Sequence, residues 1–159
     1  MKITLLTIGK LKENYLRDAV AEYLKRLGRY ASLSVIECAD EPIKEGASDG
    51  QTGIALAKEG RRILDRIPHD SYVTALAIGG RQYDSPGLAD WMQKRMNEGC
   101  SHLTFIIGGS AGLDPAVLQR CDEQLSFSRL TFPHQLMRVI LLEQLYRCFK
   151  IINHEPYHK

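Results

Sequence analysis

Five residues without a charge, Leu103-Thr-Phe-Ile-Ile107, run directly into Gly108-Gly109-Ser110-Ala111-Gly112. A stretch this short, this apolar and this rich in β-formers suits a strand buried on both faces. Such a strand needs covering above and below, which places it in a sheet sandwiched between helices. The glycines stand where the chain leaves the strand. They serve either a tight turn or a ligand lying against the main chain. Asp114-Pro115 then reads as the N-cap and first residue of a short helix.

The rest of the chain repeats the alternation. Ile3–Ile8 is strand-like, and Leu11 to Gly28 carries Tyr15, Leu16, Ala19, Val20, Tyr23, Leu24 and Leu27 at helical spacing. Ser32–Cys38 alternates as a second strand. Residues 39–52 are acidic and polar, contain Pro42, Gly46 and Gly50, and read as a surface loop. Ile54 to Ile67 is a helix stopped by Pro68, and Ser71–Ile78 is a strand ending in Gly79-Gly80. Ser85-Pro86 opens a helix that Gly99 closes. Leu125–Ser128 is another strand, and it bends through Arg129-Leu-Thr-Phe-Pro133 into the last helix. Strands and helices in strict alternation imply an α/β fold on a parallel sheet. With 159 residues and no repeat or linker, residues 1–159 form one domain.

The last helix, Gln135 to about Ile152, stands apart. Leu136, Met137, Val139, Ile140, Leu141, Leu142, Leu145, Tyr146, Phe149 and Ile151 surround nearly the whole axis. A helix apolar all round is buried all round, and a domain this small has little room for a central helix. A second copy of the chain would cover it, most simply as a homodimer.

Composition narrows the setting. No apolar run approaches the ~20 residues a bilayer span requires. The opening MKITLLTIGK turns polar too soon for a signal peptide. Cys38, Cys100, Cys121 and Cys148 form no CxxC pair, which fits free thiols in a reducing cytoplasm and argues against zinc. The formal net charge of +2 conceals an asymmetry: residues 1–29 hold seven Lys/Arg against three acids, and residues 126–159 hold five against two. Side by side, the two ends would make a basic surface suited to a polyanion; apart, they are ordinary solvated charge.

In open α/β sheets, ligands sit outside the carboxyl ends of the strands. GGSAG is neither GxGxxG, because Ile107 stands in place of the first glycine, nor a P-loop, because no GK[ST] follows. Alone it is a ligand loop or a structural turn. In the bend, Ser128, Thr131 and exposed main chain could satisfy the edge of a purine between Phe127, Leu130 and Phe132; equally, it could be a plain connection. His134 opens the last helix with Arg138 one turn on. His69 and His102 read as structural or exposed. His154 and His158 are four apart, but Pro156 between them speaks against a metal site. The tail, Tyr157-His158-Lys159, is frayed unless it folds over the strand ends, where it would bring a proton acceptor, an aromatic ring and a cation.

Taken together, IGGSAGL (107–113), LSFSRLTFPHQLMR (125–138), EQLYR (143–147) and the terminal PYHK (156–159) resemble the RlmH family. These are the large-subunit rRNA methyltransferases H of the SPOUT, or α/β-knot, class. MKITLLTIGKLKE and EYLKRL are similar too, so the likeness spans the chain, with residues 39–52 its unmatched part. The resemblance implies an S-adenosylmethionine-dependent enzyme that methylates N3 of a pseudouridine in 23S rRNA on the assembled 70S ribosome. It also implies a homodimer and a C-terminal trefoil knot, a threading that general topology rules disfavour. Carried over by motif, the cofactor contacts fall on Leu76, Gly108, Phe127, Ser128, Arg129, Leu130, Thr131 and Phe132. For the chemistry it implies, His158 is the first candidate base and His134 the second; Arg138 would stabilise the uridinate and Tyr157 stack on the base. Two other classes compete: a non-catalytic ribosome-binding factor, and a flavodoxin-like or dinucleotide-dependent oxidoreductase, against which the missing GxGxxG tells.

Overall fold

Residues 1–159 are described by a computed structural model. Ten elements follow in order: β1 (Lys2–Ile8), α1 (Asn14–Leu27), β2 (Ser32–Cys38), α2 (Asp49–Leu64), β3 (Tyr72–Gln82), α3 (Ser85–Asn97), β4 (His102–Ile107), α4 (Pro115–Arg120), β5 (Glu123–Ser126) and α5 (His134–Ile152). The strands form one sheet in the order β2-β1-β4-β3-β5, and every pairing is parallel. The parallel α/β expectation holds.

Side-chain alternation along β1 and β4 shows why both faces are covered. Ile3, Leu5, Leu103, Phe105 and Ile107 point into one core with α1, α3 and α5. Leu6, Ile8 and Ile106 point into a smaller one with Ile63 of α2 and Val117 of α4. Successive residues of a strand face opposite sides, so an unbroken apolar run fills two cores at once. All six residues of β4 are buried. His102 among them is satisfied in place, with Nε2 2.9 Å from Thr4 Oγ1 and Nδ1 3.4 Å from Asp70.

Several boundaries differ from the sequence expectation, each for a local reason. α2 begins at Asp49 rather than Ile54, because Ser48 and Gln51 make a reciprocal capping box that recruits the end of the acidic loop into helix. α1 starts at Asn14, and the N-cap of α3 is Asp84, whose carboxylate accepts the Gly87 amide. β5 ends at Ser126, not Ser128. The largest departure is in β3, which passes through Gly79-Gly80 instead of ending there. Leu125 of β5 pairs with both Leu76 and Arg81, so residues 77–80 bulge out of the ladder. Gly80 makes the bulge possible: a Cβ there would stand 2.7 Å from the main-chain carbons of Gln124 and Leu125.

α5 lies between α1 and α3. Leu141, Leu142, Leu145, Cys148 and Phe149 are buried within the single chain, whereas Leu136 is 38% exposed and Ile140 only half-buried. Arg138, on the same helix, is buried. It is 1% exposed, donating from Nη2 to the carbonyls of Ile8 (3.1 Å) and Gly9 (2.6 Å) and from Nη1 to Glu37 (2.8 Å). Its guanidinium ties α5 to the ends of β1 and β2. Removing it leaves two buried carbonyls unpaired, so Arg138→Met should lower stability by about 2–4 kcal/mol in urea unfolding. In the same experiment Ser48→Ala should cost about 1 kcal/mol, the value of a lost N-cap.

Candidate functional site

The carboxyl ends of β3, β4 and β5 open into one cavity of about 760 Å³. Three segments build it: the β3 bulge, the glycine loop after β4 and the bend after β5. Gly108 is buried at the floor, where the loop doubles back through a Gly109–Gly112 bridge, with Gly112 at φ +88°. A Cβ on Gly108 would be driven into the Gly112 carbonyl, 2.7 Å from its carbon and 3.0 Å from Leu113 Cγ. The glycine is therefore set by close approach of backbone to backbone.

The bend is held by side chains. Ser126 Oγ donates to the Ser128 carbonyl at 3.0 Å, and Ser128 Oγ accepts the Leu130 amide at 3.0 Å. Residues 128–132 make no backbone-to-backbone hydrogen bond, leaving main-chain donors and acceptors for a ligand. Around them the walls are apolar, with Leu130 (70% exposed) and Ile78 (55%) on the rim. A few polar groups between apolar walls is the usual make-up of a small-molecule site.

Leu76, Gly108, Phe127, Ser128, Leu130, Thr131 and Phe132 all line this cavity, and so does His134. Arg129 does not; it is exposed in the same bend. Ala77, Ile78 and Met137 line it as well, unforeseen from sequence. Gly79-Gly80 was the available signal for the first two, since glycines inside a strand mark a bulge. The residues present fit an adenosyl group: an apolar slot with unpaired main chain in the bend along one side.

The tail lies elsewhere. His154, at φ 55°, turns the chain back onto α5. Tyr157 packs edge-on against Tyr146 with centroids 4.9 Å apart, beneath the Arg147 guanidinium at 4.7 Å. Its hydroxyl donates to Glu143 at 3.0 Å, and Glu143 also pairs with Arg147. His158 Nδ1 is 3.4 Å from Arg147 Nη1. Burial, followed by its hydrogen bonds, pushes the Tyr157 phenol well above its ordinary pKa, so the hydroxyl stays protonated and donates to Glu143. Glu143 is nine residues along α5 from His134, about 13 Å at helical rise. Within one chain, Tyr157 and His158 are thus at the far part of the helix from the cavity.

His134 has its pKa lowered, first by burial and then by the Arg138 charge. It should titrate below the ordinary histidine value, which imidazole NMR would read directly. The linked effect on stability has a fixed sign. Between the depressed folded pKa and about 6.5 the unfolded chain binds more protons, so this histidine's contribution falls as pH drops through that window.

Comparison with known proteins agrees with this architecture. A family model described as "Predicted SPOUT methyltransferase" matches residues 1–158. Three proteins described as "Ribosomal RNA large subunit methyltransferase H" align over 100% of both chains: from Bifidobacterium adolescentis at 60% identity, Bacillus pumilus at 53% and Listeria monocytogenes at 52%. A solved structure, "The structure of a probable methylase family protein from Haemophilus influenzae Rd KW20", shares the fold at a TM-score of 0.54 and 15% identity, over 99% of this chain and 70% of that one. With its parallel sheet, its glycine-floored cavity at the strand ends and these full-length matches, the chain belongs to the SPOUT methyltransferases, in the ribosomal RNA large subunit methyltransferase H family.

Proposed function

We propose that this chain transfers a methyl group from S-adenosylmethionine to N3 of a pseudouridine in 23S rRNA, on the assembled 70S ribosome in the cytoplasm. The observation that carries the proposal is the single cavity uniting the glycine floor, the Phe127–Phe132 bend and His134. Full-length identity of 52–60% to proteins named as large-subunit rRNA methyltransferases supports the substrate class. No helix is long and apolar enough to cross a membrane.

When bound, S-adenosylmethionine supplies a methyl on a sulfonium sulfur, which makes positioning the main task of the protein. The residues that would hold the cofactor are those of the glycine loop at Gly108 and of the Phe127–Phe132 bend, whose open amides and carbonyls would meet its polar groups while Leu130 and Phe132 would add apolar contact. The pseudouridine N3 must lose a proton to attack, and a positioned base is worth roughly two to four orders of magnitude. His134 has the location for this, half-buried on the cavity wall and kept neutral by burial. His158 and Tyr157 would act beside the cavity of a second copy, since within their own chain they dock far along α5.

The proposal accordingly includes a homodimer through α5. Its partly exposed Leu136 and Ile140, with Tyr15 of α1 at 69% exposure, leave an apolar strip for the partner. The trefoil threading implied by the family belongs to the same proposal; the passage of α5 back under the sheet from the edge strand β5 is consistent with it. The packing of α1 on α5 brings the two basic ends of the chain together. Lys10, Lys12, Arg17 and Arg129 remain exposed there for phosphate contact, while Arg26, Arg147 and Lys150 are held by Glu22, Glu143 and Glu155.

The test is methyl transfer from labelled S-adenosylmethionine to 70S ribosomes, with the modified nucleotide mapped. Transfer to 23S rRNA is the expected result. Ribosome binding without transfer would favour a non-catalytic factor. In calorimetry, Gly108→Val should weaken cofactor binding about 10- to 100-fold, because its side chain overpacks the loop. Deleting residues 156–159 should spare cofactor affinity while lowering transfer by roughly two orders of magnitude.

A further inference from the structure

At the end of β5 away from the bend, one carboxylate gathers three donors. Glu123 opens that strand, and its Oε2 accepts Trp91 Nε1 at 2.7 Å and the Tyr72 hydroxyl at 3.2 Å. Its Oε1 accepts the Tyr83 hydroxyl at 2.9 Å. Burial, then the Glu123 charge, pushes the Tyr72 phenol up to about 12. Burial and the bond to Glu123 raise Tyr83 as well, so both hydroxyls stay protonated and donate.

The two tyrosines bracket β3, and the cavity wall lies between them. Tyr72 begins the strand and Tyr83 follows its last residue. β3 pairs with β4 only from Tyr72 to Ala75. Beyond that its ladder partner is β5, met at Leu76, Arg81 and Gln82. Residues 77–80 leave even this ladder, and from the bulge Ala77 and Ile78 line the cavity. An excursion with so few contacts is held by whatever fastens its two ends. The upstream end is fixed on both sides, by the β4 ladder and by β5 at Thr74, Ala75 and Leu76. The downstream end has two ladder residues and the bond from Tyr83 to Glu123.

We infer that Glu123 is a positioning residue for the cofactor: through Tyr83 it pins the return of the bulge and so sets where Ala77 and Ile78 stand. This rests on reading the cavity as the S-adenosylmethionine site. A wall already in place spares the ligand the cost of ordering it, which appears as affinity. The chemical step is untouched once the cofactor is seated. Tyr72 supplies the contrast. It donates to the same carboxylate, but from a stretch that β4 holds without its help.

The experiment uses the full chain. Tyr83→Phe removes one hydroxyl and keeps the ring. In calorimetry it should weaken S-adenosylmethionine binding about tenfold, the order that one hydrogen bond to a charged acceptor supplies. On 70S ribosomes the KM for the cofactor should rise in step, with kcat at saturation unchanged. Without cofactor, the amides of residues 77–82 should exchange hydrogen faster than in wild type. Tyr72→Phe should lower the urea midpoint by a similar amount, yet keep cofactor affinity within about twofold of wild type. Glu123→Gln can still accept from Trp91 and donate its amide to the Tyr83 oxygen, and should bind nearly as wild type does. Glu123→Ala should bind at least as weakly as Tyr83→Phe; because it orphans three donors and endangers folding, the single-hydroxyl variants decide. Unchanged cofactor affinity in Tyr83→Phe would overturn the inference, as would equal weakening in both tyrosine variants, or a fall in kcat alone. Failure of the underlying reading looks different: wild-type protein would then bind no S-adenosylmethionine. The exchange of residues 77–82 in Tyr83→Phe would still show whether the bond to Glu123 pins the wall.

Discussion

The buried guanidinium of Arg138 governs where everything at the strand ends can be. An arginine stripped of water needs several acceptors at once, and the carbonyls of Ile8 and Gly9 with the Glu37 carboxylate supply them. Those acceptors exist only where β1 and β2 stop and the chain turns at Gly9. The requirement therefore fixes the first turn of α5 against two strand ends. The bend from Phe127 to Pro133 must then span from edge strand β5 to that point. Its length and lack of internal main-chain bonding follow from this span.

Close approach sets the remaining geometry. Gly108 sits where the loop folds back on itself, Gly80 where the β3 bulge crosses β5, and Gly60 where α2 meets α4 at Asp114, whose Cβ would be 2.8 Å from an added side chain. Gly108 lines the cavity, Gly80 shapes the bulge whose Ala77 and Ile78 line it, and Gly60 braces the loop behind it. A void at the carboxyl ends is thus enclosed by backbone, which moves less than side chains and presents fixed dipoles to a ligand.

Much of this was legible in the sequence because it depends on local chemistry. The uninterrupted apolar run of β4 declares two covered faces, Asp114-Pro115 declares a helix start, and GGSAG followed by SFSRLTFPH declares two turns at one end of the sheet. What escaped depends on partners distant in the chain. Gly79-Gly80 look like a strand terminus unless one knows that Leu125 pairs on both sides of the bulge. Arg138 looks like a free cation one turn after His134, since no local pattern announces two carbonyls roughly 130 residues away. The Ser48–Gln51 capping box lies inside the acidic, glycine-containing stretch that reads as a loop, so the helix start there went unread. Threading came only from resemblance, whereas pairing of chains was also read from the all-round apolar surface of the last helix.

The tail shows the same contrast between local and distant causes. A terminal segment frays unless its contacts offset the entropy of ordering it. Here they do: Glu155 accepts from Tyr30 and Lys150, Tyr30 stacks on Phe149 at 5.3 Å, and Tyr157 is held by Tyr146, Arg147 and Glu143. These anchors belong to α5, to the tail and, at Tyr30, to the turn between α1 and β2, so the tail is ordered there and not by the cavity. The cavity is at the first turn of α5 and the tail docks two to three turns further on. If two copies pair antiparallel through the apolar strip of α5, the two-fold axis carries the tail of each toward the His134 end of the other. The distance that separates the two candidate bases within one chain is then the distance that dimerisation closes, and neither end of α5 would be a complete site alone.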